Sequence, residues 1–248
     1  MAANIISGKI VKGIGGFYYI DAEDGVLYEC KAKGIFRNKK IKPLVGDNVN
    51  IEILDPENNL GNIVEILPRF NSLIRPAVAN VDQTIIIFAV SEPEPNFNLL
   101  DRFLVSMEKS GVKTVICFNK LDLSAENMDV CRSYGKSGYR TLFISAKNDE
   151  GIDELKEIIR DKTTVFAGPS GVGKSSTLNA IKPDAEAQTG AVSDKIKRGK
   201  HTTRHSELMH ISGNTYIMDT PGFSSLYVDS IEPDDLKEYF PDIAVYTG

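Results

Sequence analysis

Cysteine is scarce in this sequence of 248 residues, and its three copies, Cys30, Cys117 and Cys131, lie far apart. No two of them form a CxxC pair, and an odd number of thiols cannot pair completely. We therefore expect neither a disulfide framework nor a cysteine-based zinc site. Three buried thiols in a protein of a reducing compartment are the simplest interpretation.

Long hydrophobic stretches are missing as well. The longest purely apolar run extends only from Ile85 to Val90, whereas about 20 apolar residues are needed to span a bilayer. The first residues carry neither the apolar core nor the cleavage site of a secretory signal. We therefore expect a cytoplasmic protein without a membrane partner.

Positive charge is not in excess, because 29 Lys and Arg residues face 34 Asp and Glu residues and give a net charge of −5. This balance argues against a nucleic-acid binder that is basic all over, although it allows a local basic patch. Hydrophobic residues make up 42% and charged residues 25% of the chain, as in an ordinary globular protein. The length suits one large domain or two modest ones.

Short apolar or alternating segments recur over the first ~70 residues, separated by turns rich in glycine or Asx residues. They predict an all-β barrel over residues 1–70, for which the OB-fold is the first candidate. The predicted strands are Ile5–Val11, Phe17–Ile20, Val26–Cys30, Val49–Ile53 and Ile63–Leu67.

From about residue 80, apolar strands alternate with helix-length segments, a pattern typical of a parallel sheet with helices on its faces. Two more strands within residues 206–219 meet at Ser212-Gly213-Asn214 and predict a hairpin. The other predicted strands are 84–90, 113–118, 140–144 and 163–167, and the predicted helices are 98–110, one within 124–138, and 151–160.

The segment GPSGVGKS matches the complete phosphate-binding pattern G-x-x-x-x-G-K-[ST], and it follows a predicted strand and opens a helix. Its glycines let backbone N–H groups wrap phosphates, and the helix N-terminus adds its positive end. Lys174 is placed to reach the β- and γ-phosphates as a catalytic residue, and Ser175 to ligate Mg²⁺. The predicted phosphate-binding residues are Gly168, Pro169, Ser170, Gly171, Val172, Gly173, Lys174, Ser175 and Ser176.

A second motif, Asn119-Lys120-Leu121-Asp122, directly follows a predicted strand. The Asp122 carboxylate can accept hydrogen bonds from N1–H and the exocyclic amine of guanine, whereas adenine has neither donor. An adenine would leave this carboxylate unpaired at a cost of several kcal/mol. Asn119 can bond the N7/O6 side of the base, and the Lys120 stem can cover the ring. The motif therefore predicts a guanine-specific site.

Two further motifs close strands in the same way. Ser145-Ala146-Lys147 offers backbone N–H groups to guanine O6, and in Asp219-Thr220-Pro221-Gly222 the aspartate can hold the Mg²⁺ shell while the Gly222 N–H faces the γ-phosphate. An open α/β sheet binds its ligand at the carboxyl ends of its strands. The four motifs therefore predict one common site.

The order of these motifs is unusual. Ordinary GTPases begin with the P-loop and continue with DxxG, NKxD and SAK, whereas here NKxD and SAK precede the P-loop and DxxG comes last. A circular permutation explains this order, because the same pocket can form wherever the chain is cut. With its leading barrel and the segment GKHTT at 199–203, the chain resembles the RsgA (YjeQ, EngC) family of circularly permuted GTPases of small-ribosomal-subunit assembly.

The resemblance implies a GTPase that converts GTP to GDP with Mg²⁺ and acts as a timing switch on the small ribosomal subunit and its rRNA. We expect a monomer with a barrel over 1–70, a permuted GTPase domain over 71–228 and the start of a C-terminal extension over 229–248. The family's zinc domain is not represented, since its Cys/His cluster is missing and His201, His205 and His210 cannot replace it without cysteines. We expect this module to have been truncated or lost.

Residues Asp194 to Arg204 are interpreted as switch I, in which Thr202 or Thr203 supplies the second protein ligand of Mg²⁺. Many GTPases orient the attacking water with a glutamine just after DxxG, but that position is Phe223 here. His201 is our candidate for water activation, because a neutral imidazole can accept a proton. An exposed loop histidine or an RNA contact are the alternatives.

Switch I is basic, and a second basic run lies in the barrel between residues 31 and 42, with Phe36 in its middle. A basic loop that carries an aromatic residue on an OB-like barrel favours RNA binding, and the alternative is a solvated face. The predicted RNA contacts are Lys31, Lys33, Arg37, Lys39, Lys40 and Lys42.

Two other functions fit parts of this sequence. One is an rRNA-binding module that uses GTP for stability and hardly turns over, against which the intact Lys174, Ser175 and Asp219 argue. The other is a P-loop kinase or ATPase, against which the NKLD and SAK motifs argue.

Overall fold

The structure is a computed structural model that describes residues 4–33, 36, 42–74, 76–123, 126, 128–183, 207–219 and 239. The chain divides into two compact units. Among the described residues, the first unit extends to Val81 and includes 207–210 and Tyr216–Met218. The second unit begins at Asp82 and includes Ile211–Thr215 and Asp219.

The first unit contains a closed five-stranded barrel with the strand order β1-β2-β3-β5-β4. Neighbouring strands are antiparallel, except for β3 and β5, which are parallel. Closure removes the sheet edges, so the predicted OB-like barrel is confirmed. The strands are β1 (Ile5–Ile14), β2 (Phe17–Ala22), β3 (Leu27–Ala32), β4 (Asn48–Asp55) and β5 (Leu60–Ile66).

Alternation along the strands fills the barrel interior, where Ile10, Ile20, Val49 and Ile51 are completely buried. Phe36 joins this core and is only 7% exposed. The expectation that Phe36 presents its ring on a basic loop is therefore wrong. Burying a phenylalanine is worth about 1.5–3 kcal/mol, which outweighs the polar character of the segment around it.

The first unit also contains an ion pair in which the carboxylate is buried and the guanidinium is partly exposed. Asp47 is completely buried, and its carboxylate accepts from Nε and Nη2 of Arg69 at 2.6 and 2.8 Å. Arg69 also donates to the carbonyl of Lys42 at 2.8 Å. A two-stranded ladder of β6 (Ser72–Leu73) and β7 (Val78–Ala79) follows. Neither the ion pair nor this ladder was predicted, because the sequence around one partner gives no sign of the other.

A six-stranded sheet has the order β10-β9-β8-β11-β13-β12. The pairs β8–β9, β9–β10 and β8–β11 are parallel, as the alternating pattern predicted. Its strands are β8 (Gln83–Ala89), β9 (Lys113–Asn119), β10 (Arg140–Phe143), β11 (Thr163–Ala167), β12 (Leu208–Ser212) and β13 (Thr215–Asp219).

Four α-helices are described with this sheet. Asn96 caps the first of them, where its side-chain oxygen accepts from the Leu99 N–H at 3.0 Å. The apolar side of this helix, including Leu100 and Phe103, is buried with Phe88 in one core cluster. The helices are α1 (Phe97–Lys109), α2 (Met128–Ser133), α3 (Ile152–Ile159) and α4 (Lys174–Ile181), and a 3-10 turn covers Tyr134–Lys136.

The central strands β8 and β11 are buried at every position, as parallel strands between two layers should be. In the part of the chain that the structure describes, no helix is long and apolar enough to cross a membrane. The strands β9, β10 and β11 end just before Lys120, Ile144 and Gly168, and β13 ends at Asp219. The motifs therefore follow the ends of strands in one sheet.

Candidate functional site

The phosphate-binding loop begins where β11 ends and leads into α4. Gly168 has a φ of 141°, and a Cβ there would lie 2.1 Å from the Ile87 carbonyl oxygen. Gly173 has a φ of 92°, and a Cβ there would lie 2.3 Å from Asn119 Nδ2. Both positions therefore require glycine, for backbone conformation and for space.

Lys174 is almost fully buried, with 8% of its surface exposed, although it carries a charge. Its ammonium group donates to the carbonyl oxygens of Gly168 and Pro169 at 2.9 and 2.7 Å. Burial lowers the pKa of Lys174, and the negative charge of Asp219 partly offsets this shift. A cation held inside the loop in this way is ready to meet phosphate oxygens.

Asp219 stands at the end of β13, and Ser175 lies at the start of α4. The Ser175 hydroxyl donates to Asp219 Oδ2 at 3.5 Å. Asp219 Oδ1 is buried and has no hydrogen-bond partner among the described residues. Burial raises the pKa of the Asp219 carboxyl, against the opposing effects of Lys174 and Ser175.

This pair fits a hard divalent cation. Mg²⁺ takes oxygen ligands, keeps several waters and binds through one or two protein groups together with phosphates. A serine hydroxyl beside a carboxylate with an unsatisfied buried oxygen supplies such a donor set. The structure therefore brings together two of the predicted Mg²⁺ residues, Ser175 and Asp219, while Thr202 and Thr203 lie outside the described residues.

Asn119 joins three of the motifs. It is 2% exposed, its Nδ2 donates to the Val172 carbonyl at 3.0 Å, and its Oδ1 accepts from the Ala146 N–H at 3.1 Å. These partners belong to the P-loop and to the SAK motif. Asn119 was predicted to bond the base, but its role in bracing the two loops was not foreseen, since the partners are distant in sequence.

The SAK motif holds the Asp122 carboxylate in place. Its Oδ1 accepts from the Ser145 hydroxyl at 2.8 Å, and its Oδ2 lies 3.3 Å from Lys147 Nζ. The Ser145 hydrogen bond is the largest cause of a lowered pKa at Asp122, and Lys147 adds to the shift. The carboxylate therefore stays ionised, as an acceptor for two guanine donors must.

Lys120 and Leu121 have separate neighbours. Lys120 has a positive φ of 70° and its ammonium group donates to the Glu92 carbonyl. Leu121 packs against the core cluster that contains Phe103 and Phe118, and its N–H donates to the Ile144 carbonyl at 3.2 Å. Glu92 was not predicted at this site, and nothing in its local sequence marks it.

Several predicted residues lie outside the described part of the chain. They are His201, Thr202, Thr203 and Gly222, which were predicted for the nucleotide site, and Arg37, Lys39 and Lys40, which were predicted to contact RNA. The described motifs nevertheless meet around one sheet, with a guanine-type carboxylate and a phosphate-type loop joined through Asn119. Together they define a P-loop GTPase whose motifs run in circularly permuted order.

Comparison with known proteins gives the family. The model of the RsgA GTPase matches residues 66–229, and the model of the RsgA N-terminal domain matches residues 7–63. The chain therefore belongs to the RsgA GTPase family, and it is a GTP hydrolase. The resemblance inferred from the motif order is confirmed.

Individual relatives agree over most of their length. The chain is 53% identical to the small ribosomal subunit biogenesis GTPase RsgA of Agathobacter rectalis, over 97% of this chain and 84% of the relative. It is 50% identical to the protein of the same name from Alkaliphilus metalliredigens, over 95% of this chain and 81% of the relative.

Two solved structures share the fold. YjeQ from Thermotoga maritima superposes with a TM-score of 0.79 at 36% identity, covering 95% of this chain and 81% of the other. YloQ, described as a circularly permuted GTPase, superposes with a TM-score of 0.77 at 39% identity, covering 98% and 80%. The permuted GTPase fold predicted from the sequence is confirmed.

Proposed function

We propose that this GTPase acts as a late assembly or maturation factor of the small ribosomal subunit, working as a cytoplasmic monomer that binds rRNA. The observation that carries the GTPase part is the hydrogen-bonded joining of Asp122, Asn119 and the P-loop at one site. The names of the relatives from Agathobacter rectalis and Alkaliphilus metalliredigens support the ribosomal part.

In this proposal the base end of GTP or GDP meets the NKLD and SAK motifs. Asp122 reads the two guanine donors, the Lys120 stem covers the ring, and Leu121 holds the motif on the core. Asn119 braces the pocket and faces the N7/O6 side. Ser145 orients Asp122, and the backbone of Ala146 and Lys147 borders O6.

At the phosphate end, the residues from Gly168 to Ser176 wrap the phosphates, with Lys174 on the β- and γ-phosphates and Gly222 at the γ-phosphate. Ser175, Asp219 and either Thr202 or Thr203 would hold Mg²⁺, which neutralises phosphate charge when bound. Among the described residues no group of three or more His, Cys, Asp and Glu side chains could hold another metal such as zinc.

The three-region division into 1–70, 71–228 and 229–248 belongs to the same proposal. In it the barrel and the basic switch I segment provide the contacts to rRNA. Of the predicted barrel contacts, Lys33 is paired with Glu52 at 2.6 Å, and Lys31 lies over the Phe17 ring at 5.0 Å from its centre. Contacts between these lysines and RNA phosphates would release counterions, so the affinity for RNA would fall steeply as the salt concentration rises.

Acid should remove the Mg²⁺ contribution before it removes guanine recognition. The pKa of Asp219 is raised by burial, so as pH falls a proton displaces Mg²⁺ from this carboxylate earlier than from an ordinary one. The pKa of Asp122 is lowered, so its acceptors persist to lower pH. We measure GDP and ADP affinities by calorimetry at limiting Mg²⁺ over a range of pH. As pH falls, the gain in GDP affinity that Mg²⁺ provides should disappear first, and the preference for GDP over ADP should disappear at a lower pH.

The control for this experiment is Asp219→Asn, in which the Mg²⁺-dependent gain in GDP affinity should be smaller and should no longer follow the titration of this carboxyl. If the increment and the guanine preference disappear at the same pH in the unaltered protein, the two carboxyls do not have the assigned roles.

Changing His201 to alanine tests both water activation and the ribosomal role. Multiple-turnover GTP hydrolysis is measured with and without purified small subunits. Since Phe223 offers no donor or acceptor, we expect His201→Ala to lower subunit-stimulated turnover ~100-fold, as for a lost general base or water-positioning group, while GTP affinity stays near normal.

Three results are decisive here. If saturating small subunits do not raise the GTP turnover of the unaltered protein, the ribosomal role is contradicted. Normal stimulated turnover in His201→Ala would remove this residue from the mechanism. A fall that is explained by weaker subunit binding alone would place His201 on the RNA surface.

A further inference from the structure

We propose that one end of the barrel is a docking surface for a basic protein segment of the small subunit, which lays its apolar side chains on a row of exposed aliphatic residues. The inference rests on the proposed function and deepens it, because it assigns the protein part of the contact with the subunit. This apolar row consists of Ile5, Leu27, Leu54 and Leu60.

The apolar row crosses neighbouring strands of the barrel. Leu60 begins β5 and is opposite Asp55 of β4 on one side and Glu29 of β3 on the other. Leu54 directly precedes Asp55, and Leu27 lies two positions before Glu29. Residues that are opposite or diagonal across a ladder are close enough for long side chains to touch. The three leucines therefore lie at the same end of the barrel.

Ile5 extends the row onto β1, where it is opposite Glu52, two positions from Leu54. The side chains lie outside the barrel core, because Ile5, Leu27, Leu54 and Leu60 are 53%, 51%, 58% and 40% exposed. Single exposed apolar residues are ordinary on a protein surface, whereas several large ones that adjoin are typical of an interaction surface.

The two segments that supply the leucines are acidic. Residues 21–30 contain four acidic residues and no lysine, arginine or histidine. Residues 51–60 contain three acidic residues and again none of the basic types. The apolar row is therefore bordered by negative charge on both sides of β5.

The acidic residues in the two turns have different tasks. Asp24 and Asp55 hold the turns themselves, since each accepts two or more hydrogen bonds from residues of its own turn. Glu23 and Glu57 stand beside them and are exposed to solvent. These two glutamates can therefore meet a partner without disturbing the turns.

The negative border decides which partner fits. RNA phosphates and anionic lipids would be repelled, and a second copy of this chain would bring two acidic borders together. A protein segment with lysine or arginine beside apolar side chains matches both the border and the row. Lys31 and Lys33, the proposed RNA contacts, lie towards the other end of β3 from Leu27, so the two kinds of contact do not compete for one place.

Charge reversal tests the partner by the sign of its effect. We expect Glu23→Lys with Glu57→Lys to bind purified small subunits about 10-fold more weakly at low salt, because a basic partner would meet like charge. An RNA partner at this place would instead make the same double variant bind more tightly. Free GTP turnover should be unchanged, because neither glutamate belongs to the nucleotide site.

Glu108→Lys with Glu157→Lys is the matched control, since it changes the net charge of the protein by the same amount. Both positions lie in the last turn of a helix, α1 and α3, where a lysine suits the helix dipole. The affinity of this control for small subunits should not fall. Circular-dichroism melts of both double variants show whether a loss reflects unfolding.

Crosslinking identifies the partner independently of affinity. All three native cysteines are buried, so Leu54→Cys offers an accessible thiol for a benzophenone maleimide. With purified small subunits we expect the photoactivated label to attach to a protein of the subunit. The same label at Val130→Cys, an exposed apolar position on α2, should give few such crosslinks.

Several outcomes would overturn the docking surface. Unchanged or tighter subunit binding by the Glu23→Lys and Glu57→Lys double variant would contradict it and leave the proposed function intact. Crosslinks from position 54 to rRNA, or between two copies of this chain, would contradict it as well. Failure of the unaltered protein to bind small subunits would overturn both proposals together.

Discussion

The Asp122→Asn variant is expected to lose guanine nucleotides and gain xanthosine nucleotides, with a change in relative affinity of at least ~100-fold. In the proposed site two guanine donors face two carboxylate acceptors, so adenine nucleotides should bind at least ~100-fold more weakly, at about 3 kcal/mol for the unpaired carboxylate. An asparagine amide replaces one acceptor by a donor, and the C2 carbonyl of xanthine accepts it.

The Ser145 contact decides which end of the new amide faces the base. Its hydroxyl donates to Asp122 Oδ1 at 2.8 Å, and in Asp122→Asn the amide oxygen keeps this bond, so the amide nitrogen takes the position of Oδ2. Lys147 lies 3.3 Å from Oδ2 and is largely exposed, so it can move away. Calorimetry with GDP, XDP and ADP measures the change.

Ser145→Ala is the matched control for this substitution. It should weaken GDP binding, because Asp122 loses the hydrogen bond that positions it, but it should not favour XDP. Equal affinities of the unaltered protein for GDP and ADP would refute the guanine assignment, and an unchanged preference in Asp122→Asn would remove this carboxylate from base recognition.

Lys174→Ala is expected to reduce GTP turnover on the order of 10³-fold and to weaken GTP more than GDP. The developing phosphate charge loses a fixed cation in a site with little water, where such groups contribute most. The Lys174 ammonium is buried between the carbonyls of Gly168 and Pro169, so no neighbouring lysine can replace it without displacing the loop. Single-turnover hydrolysis at saturating protein separates this loss from weaker binding.

Lys156→Ala serves as the control for Lys174→Ala. Lys156 lies on α3, and among the described residues it forms a surface ion pair with Asp153 at 3.9 Å, a kind of pair that contributes little. Its turnover should equal that of the unaltered protein. Undiminished turnover in Lys174→Ala would mean that the phosphate-binding loop is not the active site.

Elements that depend only on a short continuous stretch of sequence could be predicted. The strand before Gly168 and the helix after it match the predicted context, and β11 begins and ends at the predicted residues, Thr163 and Ala167. The predicted helix 98–110 is present as Phe97–Lys109, because Asn96 supplies its cap. Local pattern and local hydrogen bonding are enough for such elements.

Features that join distant segments could not be predicted. The bond from Asn119 to Val172 spans 53 positions, and no periodicity in the sequence marks it. Arg69 and Asp47 form a partly buried pair 22 positions apart, although each is an ordinary charged residue in its own segment. The prediction for Phe36 was wrong for a different reason. Its neighbours in the sequence are mostly polar or basic, so the local pattern did not indicate that its ring packs in the barrel core.

The position of Asn119 has a consequence for how the protein exchanges its nucleotide. Because one amide fastens the base-side loops to the phosphate-side loop, the pocket keeps its shape through hydrogen bonds of its own. The loops that Asn119 joins therefore need little further ordering when a nucleotide binds, and little binding free energy is lost in ordering them. Because the same hydrogen bonds link the two ends of the pocket, a substitution that disturbs the guanine end should also weaken the contacts to the phosphates.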